Sequence, residues 1–278
     1  MSSEQRSGLR RWLVAGSLAV ILLSLTLPAT WVEAAYCRGV FPWIQSVMVP
    51  VSGAIDWPLM GTVLVLLSVV MPVLVWRRWR RGRAAGRKRT TLWLAGGLRT
   101  LRTAIYVYAT FVALWGLGYH RIPIEDRWQL IQGELEYGDV RDVQLRLLAI
   151  LHRDASAPST PVHEARAWQA IAEAERKMVI ELEGWSPSLP AHIKHPPEGS
   201  LMAIGIYGVV SPFTMEANVD PALPMPMRLA ISGHELAHIL GYCGEADANL
   251  VSFLAGLRAE DPLARYGTAL SMIRYASS

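Results

Sequence analysis

Acidic side chains are nearly missing from the first 120 positions of this 278-residue chain, which hold 3 Asp/Glu against 14 Lys/Arg. Positions 121 to 278 hold 20 against 13, so the whole-chain charge of +4 describes neither half. Charge of both signs is sparse, 18% against the ~25% usual in soluble domains, which excludes an ordinary water-soluble chain throughout. Internal repeats are absent and low complexity is confined to one arginine-rich run, so no repeat array organises the sequence. Cysteine is limited to Cys37 and Cys243, which set few limits by themselves. Apolar residues are plentiful instead: they make up 52% of the chain, with 11 Trp.

Three charge-free runs lie in the basic half: Trp12 to Val32, Pro58 to Trp76 and Thr103 to Tyr119. The first two, 21 and 19 residues, can each cross a ~30 Å hydrocarbon core at ~1.5 Å per residue. The third, 17 residues, stands at the short limit. A buried core helix is its alternative, but Tyr106, Tyr108, Trp115 and Tyr119 supply interfacial aromatics. A cleaved signal peptide is the alternative for the first run, although its length favours retention. Residues 77 to 102 read as a loop with ten positive and no negative side chains, which keeps it cytoplasmic. The expected organisation is a multi-pass anchor over 1–120, with spans 12–32, 58–76 and 103–119, and an extracytoplasmic domain over 121–278. Arginines beside apolar segments point to a lipid bilayer as partner, with no nucleic acid required.

One short segment of the second half concentrates chemistry. His234-Glu235-Leu236-Ala237-His238 puts two imidazoles at i and i+4, on one face of a helix, where both can grip one Zn²⁺. Glu235 stands beside them as general base toward water. Two His and a Glu also recur by accident on polar helix faces, so context decides. Pro224-Met225-Pro226 starts the helix, no proline interrupts Met227 to Leu240, and Gly241 and Gly244 let the chain reverse. A second helix then opens at Glu245, with Leu250, Phe253, Leu254 and Leu257 as its apolar stripe. Glu245 is the favoured third metal ligand and Asp247 its rival, since His/His/Glu is an established catalytic set. Asp247 and Asn249 are otherwise candidates to orient the imidazoles by accepting their second N–H, or are plain helix-surface groups.

Glu245-x-x-Ala248-Asn249 resembles the signature that carries the third zinc ligand in several membrane-associated gluzincin peptidases. The run from Ser211-Pro212-Phe213-Thr214 through Glu216-Ala217-Asn218-Val219 to Asn249 is similar to a bacterial family of membrane-anchored, zinc-peptidase-like proteins, itself classed as a domain of unknown function. Tyr36-Cys37-Arg38-Gly39 and Trp115-Gly116-Leu117-Gly118-Tyr119 extend the likeness over most of the chain. The resemblance implies a zincin-like fold, a metal site and a bacterial inner (plasma) membrane location, and names no substrate.

Around the motif, periodicity predicts helices over Ile124 to Leu135, Val140 to His152, Pro161 to Glu183 and Leu263 to Tyr275. Leu201 to Val210 and Pro212 to Val219 read as two short strands. The expected fold class is α+β: N-terminal transmembrane helices, then a mostly helical zincin-like metallopeptidase domain with a small β-sheet. Phe213 to Val219 is the candidate edge strand for an extended protein or peptide substrate, with Glu216 and Asn218 as candidate substrate-binding residues. A hairpin buried beneath the helices is the alternative. Tyr242, His192, His195 and His120 are the available oxyanion donors, unranked by spacing. Cys37 and Cys243 are candidates for one disulfide. The expected activity is zinc-dependent peptide hydrolysis, against a catalytically inactive zinc-binding envelope scaffold or sensor. Proteolysis inside the bilayer is disfavoured, because Arg228 and polar flanks interrupt any membrane-length run around the motif.

Overall fold

A computed structural model describes residues 3–130, 133–134, 136–157 and 159–276, and the chain is mostly helical with one two-stranded sheet. Helix α1 (Ser3–Ser24) ends well before the expected Val32. Pro28, which lacks an N–H and forces the preceding residue extended, breaks the run and starts the short helix α2 (Ala29–Trp31). A π-helical stretch (Val32–Val40) and α3 (Phe41–Gly53) follow. The first expected span thus falls on a helix pair, Gly8–Ser24 and Ala29–Gly53, bent by 110° and apolar enough to cross a membrane when the two are taken together.

Helices α4 (Leu59–Ala84) and α5 (Arg89–Leu114) follow one another across a short turn and make little contact along their lengths. The expected basic loop over 77–102 is therefore two helix ends joined by residues 85–88, with Gly86 at φ 71° making the reversal. Among the described residues, α4 is the one single helix long and apolar enough to cross a membrane. The expected span 103–119 lies within α5 as far as Leu114, but Arg99 and Arg102 dilute that helix, and a 3-10 turn (Gly116–His120) ends it. Helix α1 packs along α5.

The second half begins with a single turn, α6 (Ile124–Arg127), much shorter than the expected Ile124 to Leu135, of which residues 131, 132 and 135 lie outside the described residues. Helix α7 (Tyr137–Asp154) opens with a reciprocal Glu136/Asp139 capping box. Helix α8 (Pro161–Glu183) matches the expected span: Thr160 accepts from the His163 amide, Pro161 takes the first position and Gly184 ends it in the left-handed region. The expected strand from Leu201 shrinks to β1 (Gly208–Ser211), because residues 202–204 form a 3-10 turn closed by Gly205 at φ 80°. Strand β2 (Glu216–Val219) pairs antiparallel with β1, Gly208 opposite Val219, and its other side bridges to Lys194.

Helices α9 (Met225–Ile239), α10 (Glu245–Arg258) and α11 (Pro262–Tyr275) complete the fold. Helix α9 is central, packed against α8, α10, α11 and both strands. Its Leu229, Leu236 and Ile239 meet Ile171 and Val179 of α8, Val251 of α10 and Leu263 of α11 in one core. Each such side chain contributes roughly 1.5–3 kcal/mol on burial. Val32, Phe41 and Trp115 from the first half join that core, so the two halves share one interior.

Candidate metal centre

His234 and His238 fall one helical turn apart on α9, and their rings lie 4.7 Å apart at 85°. The chain then turns at Gly241, whose φ of 94° suits glycine; a Cβ there would come within 2.8 Å of the Phe41 ring. Helix α10 follows with Glu245 in its first turn, so the carboxylate arrives between the imidazoles: Oε2 is 3.2 Å from His234 Nε2 and Oε1 is 3.6 Å from His238 Nε2. One donor atom from each residue lies within 4.8 Å of the other two, and a metal ion can be held there. Donors around a tetrahedral ion at ~2.0–2.1 Å sit about 3.3 Å apart, so only a small closure separates these side chains from coordination.

The tautomer of His238 follows from its neighbour. Nδ1 lies 2.7 Å from the Tyr242 carbonyl, which can only accept, so Nδ1 carries the proton and Nε2 offers its lone pair to the centre. Burial first and His238 second push the His234 pKa down, against Glu245 and then Asn249, which favour its charged form. His234 Nδ1 itself has no partner. Asp247 turns instead to Arg127, 3.7 Å away, which leaves Glu245 as the carboxylate that meets both histidines.

Glu235 is buried, yet it lines an open cleft of about 380 Å³ together with His234, His238, Glu245, Trp115 and Tyr207. Burial, reinforced by the Glu245 carboxylate, pushes its carboxyl up to about 8. Its Oε1 lies against β1 so closely that a Cβ on Gly208 would stand 2.5 Å from it. Only a glycine leaves that carboxylate its place.

Strand β1, paired on one side only among the described residues, is the edge that faces the cleft. This corrects the expectation that Glu216 and Asn218 meet substrate: both are buried on β2, the inner strand. Glu216 accepts from the amides of Leu59 and Met60 at 3.1 and 2.6 Å and pairs with the buried Lys194 ammonium at 2.6 Å. It caps the first turn of the apolar helix α4. Lys194 also donates to the Ser52 carbonyl, so one ion pair fastens the sheet to the end of α3 and the start of α4.

The oxyanion candidates fare similarly. Tyr242 is fully buried and its hydroxyl donates to Glu183 at 3.1 Å, His195 Nδ1 lies 2.9 Å from the Val219 carbonyl, and His192 faces Asp56. None of these three, nor His120, lines the cleft, whereas Tyr207, unmarked by any motif, does. Cys37 and Cys243 are both buried and free, which corrects the disulfide. Burial pushes the Cys37 thiol up to about 11 and that of Cys243 higher still, so neither is a ready nucleophile.

A buried ionic knot steadies the turn that follows His238. Arg121 donates to Glu33 at 2.9 and 3.0 Å, to Glu183 at 3.0 Å and to the Gly241 carbonyl at 3.4 Å, and Arg127 pairs with Glu183. Trp115, at the end of α5, stacks edge-to-face on His238 at 6.0 Å and reaches its carbonyl with Nε1 at 3.4 Å.

Fold and site together define a mostly helical chain, attached to an apolar helix long enough to cross a membrane, that can hold a metal ion between two histidines and a glutamate. It belongs to the family described as "Protein of unknown function (DUF3810)", which matches residues 36–278. No curated protein and no solved structure matches the chain.

Proposed function

We propose that this chain is a membrane-anchored, zinc-dependent metallopeptidase with its catalytic domain outside the cytoplasm. The observation that carries the reading is the convergence of His234, His238 and Glu245 with Glu235 on one cleft, beside an unpaired strand edge. Zn²⁺ bound by the three side chains supplies Lewis acidity toward water and a scissile carbonyl. Glu235 takes the proton of the attacking water and returns it to the leaving amine; its raised pKa suits a group that must both accept and donate near neutrality. Strand β1 aligns an extended peptide by backbone hydrogen bonds across the cleft. His238 holds its orientation through the Tyr242 carbonyl, and the knot of Arg121, Arg127 and Glu183 keeps that carbonyl in place.

Topology supports the same reading. Large apolar side chains of α4, such as Val65, Leu66 and Val69, are exposed over the length of the helix and require a cover, and a lipid bilayer supplies one. The arginines at the α4–α5 turn support a cytoplasmic place for that end in a bacterial cell, with the other end and the cleft on the far face.

The test is metal analysis and peptide-library turnover by the full chain in nanodiscs. Turnover that falls about 10²–10⁴-fold in Glu235→Gln, with metal retained, is expected. Bound metal without turnover in the unaltered chain would leave an inactive zinc-binding scaffold.

A further inference from the structure

We infer that the substrates are polypeptide segments just emerging from the bilayer, the membrane-proximal stretches of other inserted proteins, rather than free soluble peptides. The inference rests on the peptidase reading and adds where the substrate must come from.

The cleft, floored by α9, is tied to the N-terminal helices from two sides. On one side, the C-terminal end of α5 delivers Trp115 into the cleft and onto His238. An aromatic ladder leads there along α5: Tyr108 to Phe111 at 6.1 Å, Phe111 to Trp115 at 6.0 Å, Trp115 to Tyr119 at 5.2 Å. Such amphipathic rings occupy the headgroup level of a membrane. On the other side, β1 hangs from β2, whose Glu216 caps the first turn of α4. The N-terminus of α4, held by Glu216, and the C-terminal end of α5, carrying Trp115 onto His238, both reach the half that holds the cleft. The cleft therefore sits by the start of α4, while the arginines lie at its other end, a helix of 26 residues away.

The rim carries the same mark. Residues 199–207 form a loop tethered by Asp220, which accepts from the amides of Gly199, Leu201 and Met202. Beyond these polar anchors the loop presents Ile204, 72% exposed, and then Ile206 and Tyr207, which continue into the cleft. Beside a bilayer end, an apolar rim of this kind faces lipid, and a chain leaving the lipid is delivered onto β1. At ~3.3 Å per residue, an extended segment reaches a cleft so placed within its first few residues. A soluble peptide gains nothing from this placement.

The experiment uses the full chain reconstituted in vesicles of phosphatidylethanolamine and phosphatidylglycerol. The probe is a single transmembrane helix followed by a flexible chain that carries one randomised segment about 10 residues from the helix and an identical one about 30 residues out. The free segment is added in parallel. Tethering alone favours the nearer site by about fivefold, from the −3/2 power of linker length. A preference well above that, with the free segment cut no faster than the distal site, is expected. A ratio at or below about fivefold, or a free segment cut as fast as the proximal one, overturns the inference and leaves the peptidase reading intact. Absence of cleavage in every arm, with metal bound, would sink both.

Discussion

Two helix pairs, each joined by a short turn that holds a glycine, stand in opposite surroundings. The pair α9–α10 turns at Gly241 and the pair α4–α5 turns at Gly86, each through a glycine at positive φ. Around the first, other helices and both strands pack so fully that Leu236, Ala237 and Ile239 have no exposed surface. Around the second, no part of the most apolar stretch of α4 is buried. The same kinds of side chain thus serve a protein core in one pair and an unfilled outer surface in the other. Polar groups divide accordingly: the first pair turns its histidines and glutamates to a single cleft, and the second gathers its arginines at one end.

The sharpest break of the α9–α10 pair is Glu245→Ala, which removes one of three candidate metal donors. Metal measured by mass spectrometry should fall to background, whereas Asp247→Ala, whose carboxylate faces Arg127, should retain it. Severing the link between the two pairs comes next. Glu216→Ala strands the buried Lys194 ammonium and frees the first turn of α4, so stability should drop by about 3–5 kcal/mol in chemical denaturation. Lys194→Met with Glu216→Leu should recover most of that loss.

A subtler change tests the strand edge. Gly208→Ala forces a methyl group toward the Glu235 carboxylate and Ile231, so turnover should fall at least about tenfold while metal content stays unchanged. Retention of full turnover would place the working position of Glu235 elsewhere.

The smallest effect concerns Glu175, fully buried on α8 beneath α9, with no hydrogen-bond partner for either oxygen. Burial raises its pKa well above the usual carboxylate value, so the fold binds this proton more tightly than the unfolded chain does. Its stabilising contribution is complete below about pH 4.5 and is lost as pH rises toward the folded pKa. Glu175→Gln should therefore melt higher than the unaltered chain at pH 7 to 8, by a few degrees, with the gap closing near pH 4. An equal gap at both pH values would mean that the proton is not involved.

How much of this was legible in the residues depended on distance along the chain. The metal triad was, because an i, i+4 pair and a carboxylate just past a glycine turn are local relations that helix geometry fixes. Helix α8 was, because its cap, first-turn proline and terminal glycine lie in the sequence itself. The break at Pro28 was legible too, but an uncharged run from Trp12 to Val32 hid it behind composition. Glu216 was misplaced for a different reason. A strand's alternation says that its faces differ, not which edge is paired, and the Leu59 and Met60 amides that claim this carboxylate lie more than 150 residues upstream.

By itself, then, the sequence determined the chemistry-bearing helix, its third donor, the apolar run of α4 and the arginine-rich end of that helix. These rest on spacing and composition within a few turns of helix. Tertiary structure alone decided that Gly208 makes room for Glu235, that Trp115 joins α5 to His238, and that Glu216 ties the sheet to the start of α4. The physical reason is that burial and ion pairing are satisfied by whichever groups the fold brings together, and those partners lie far apart in the chain.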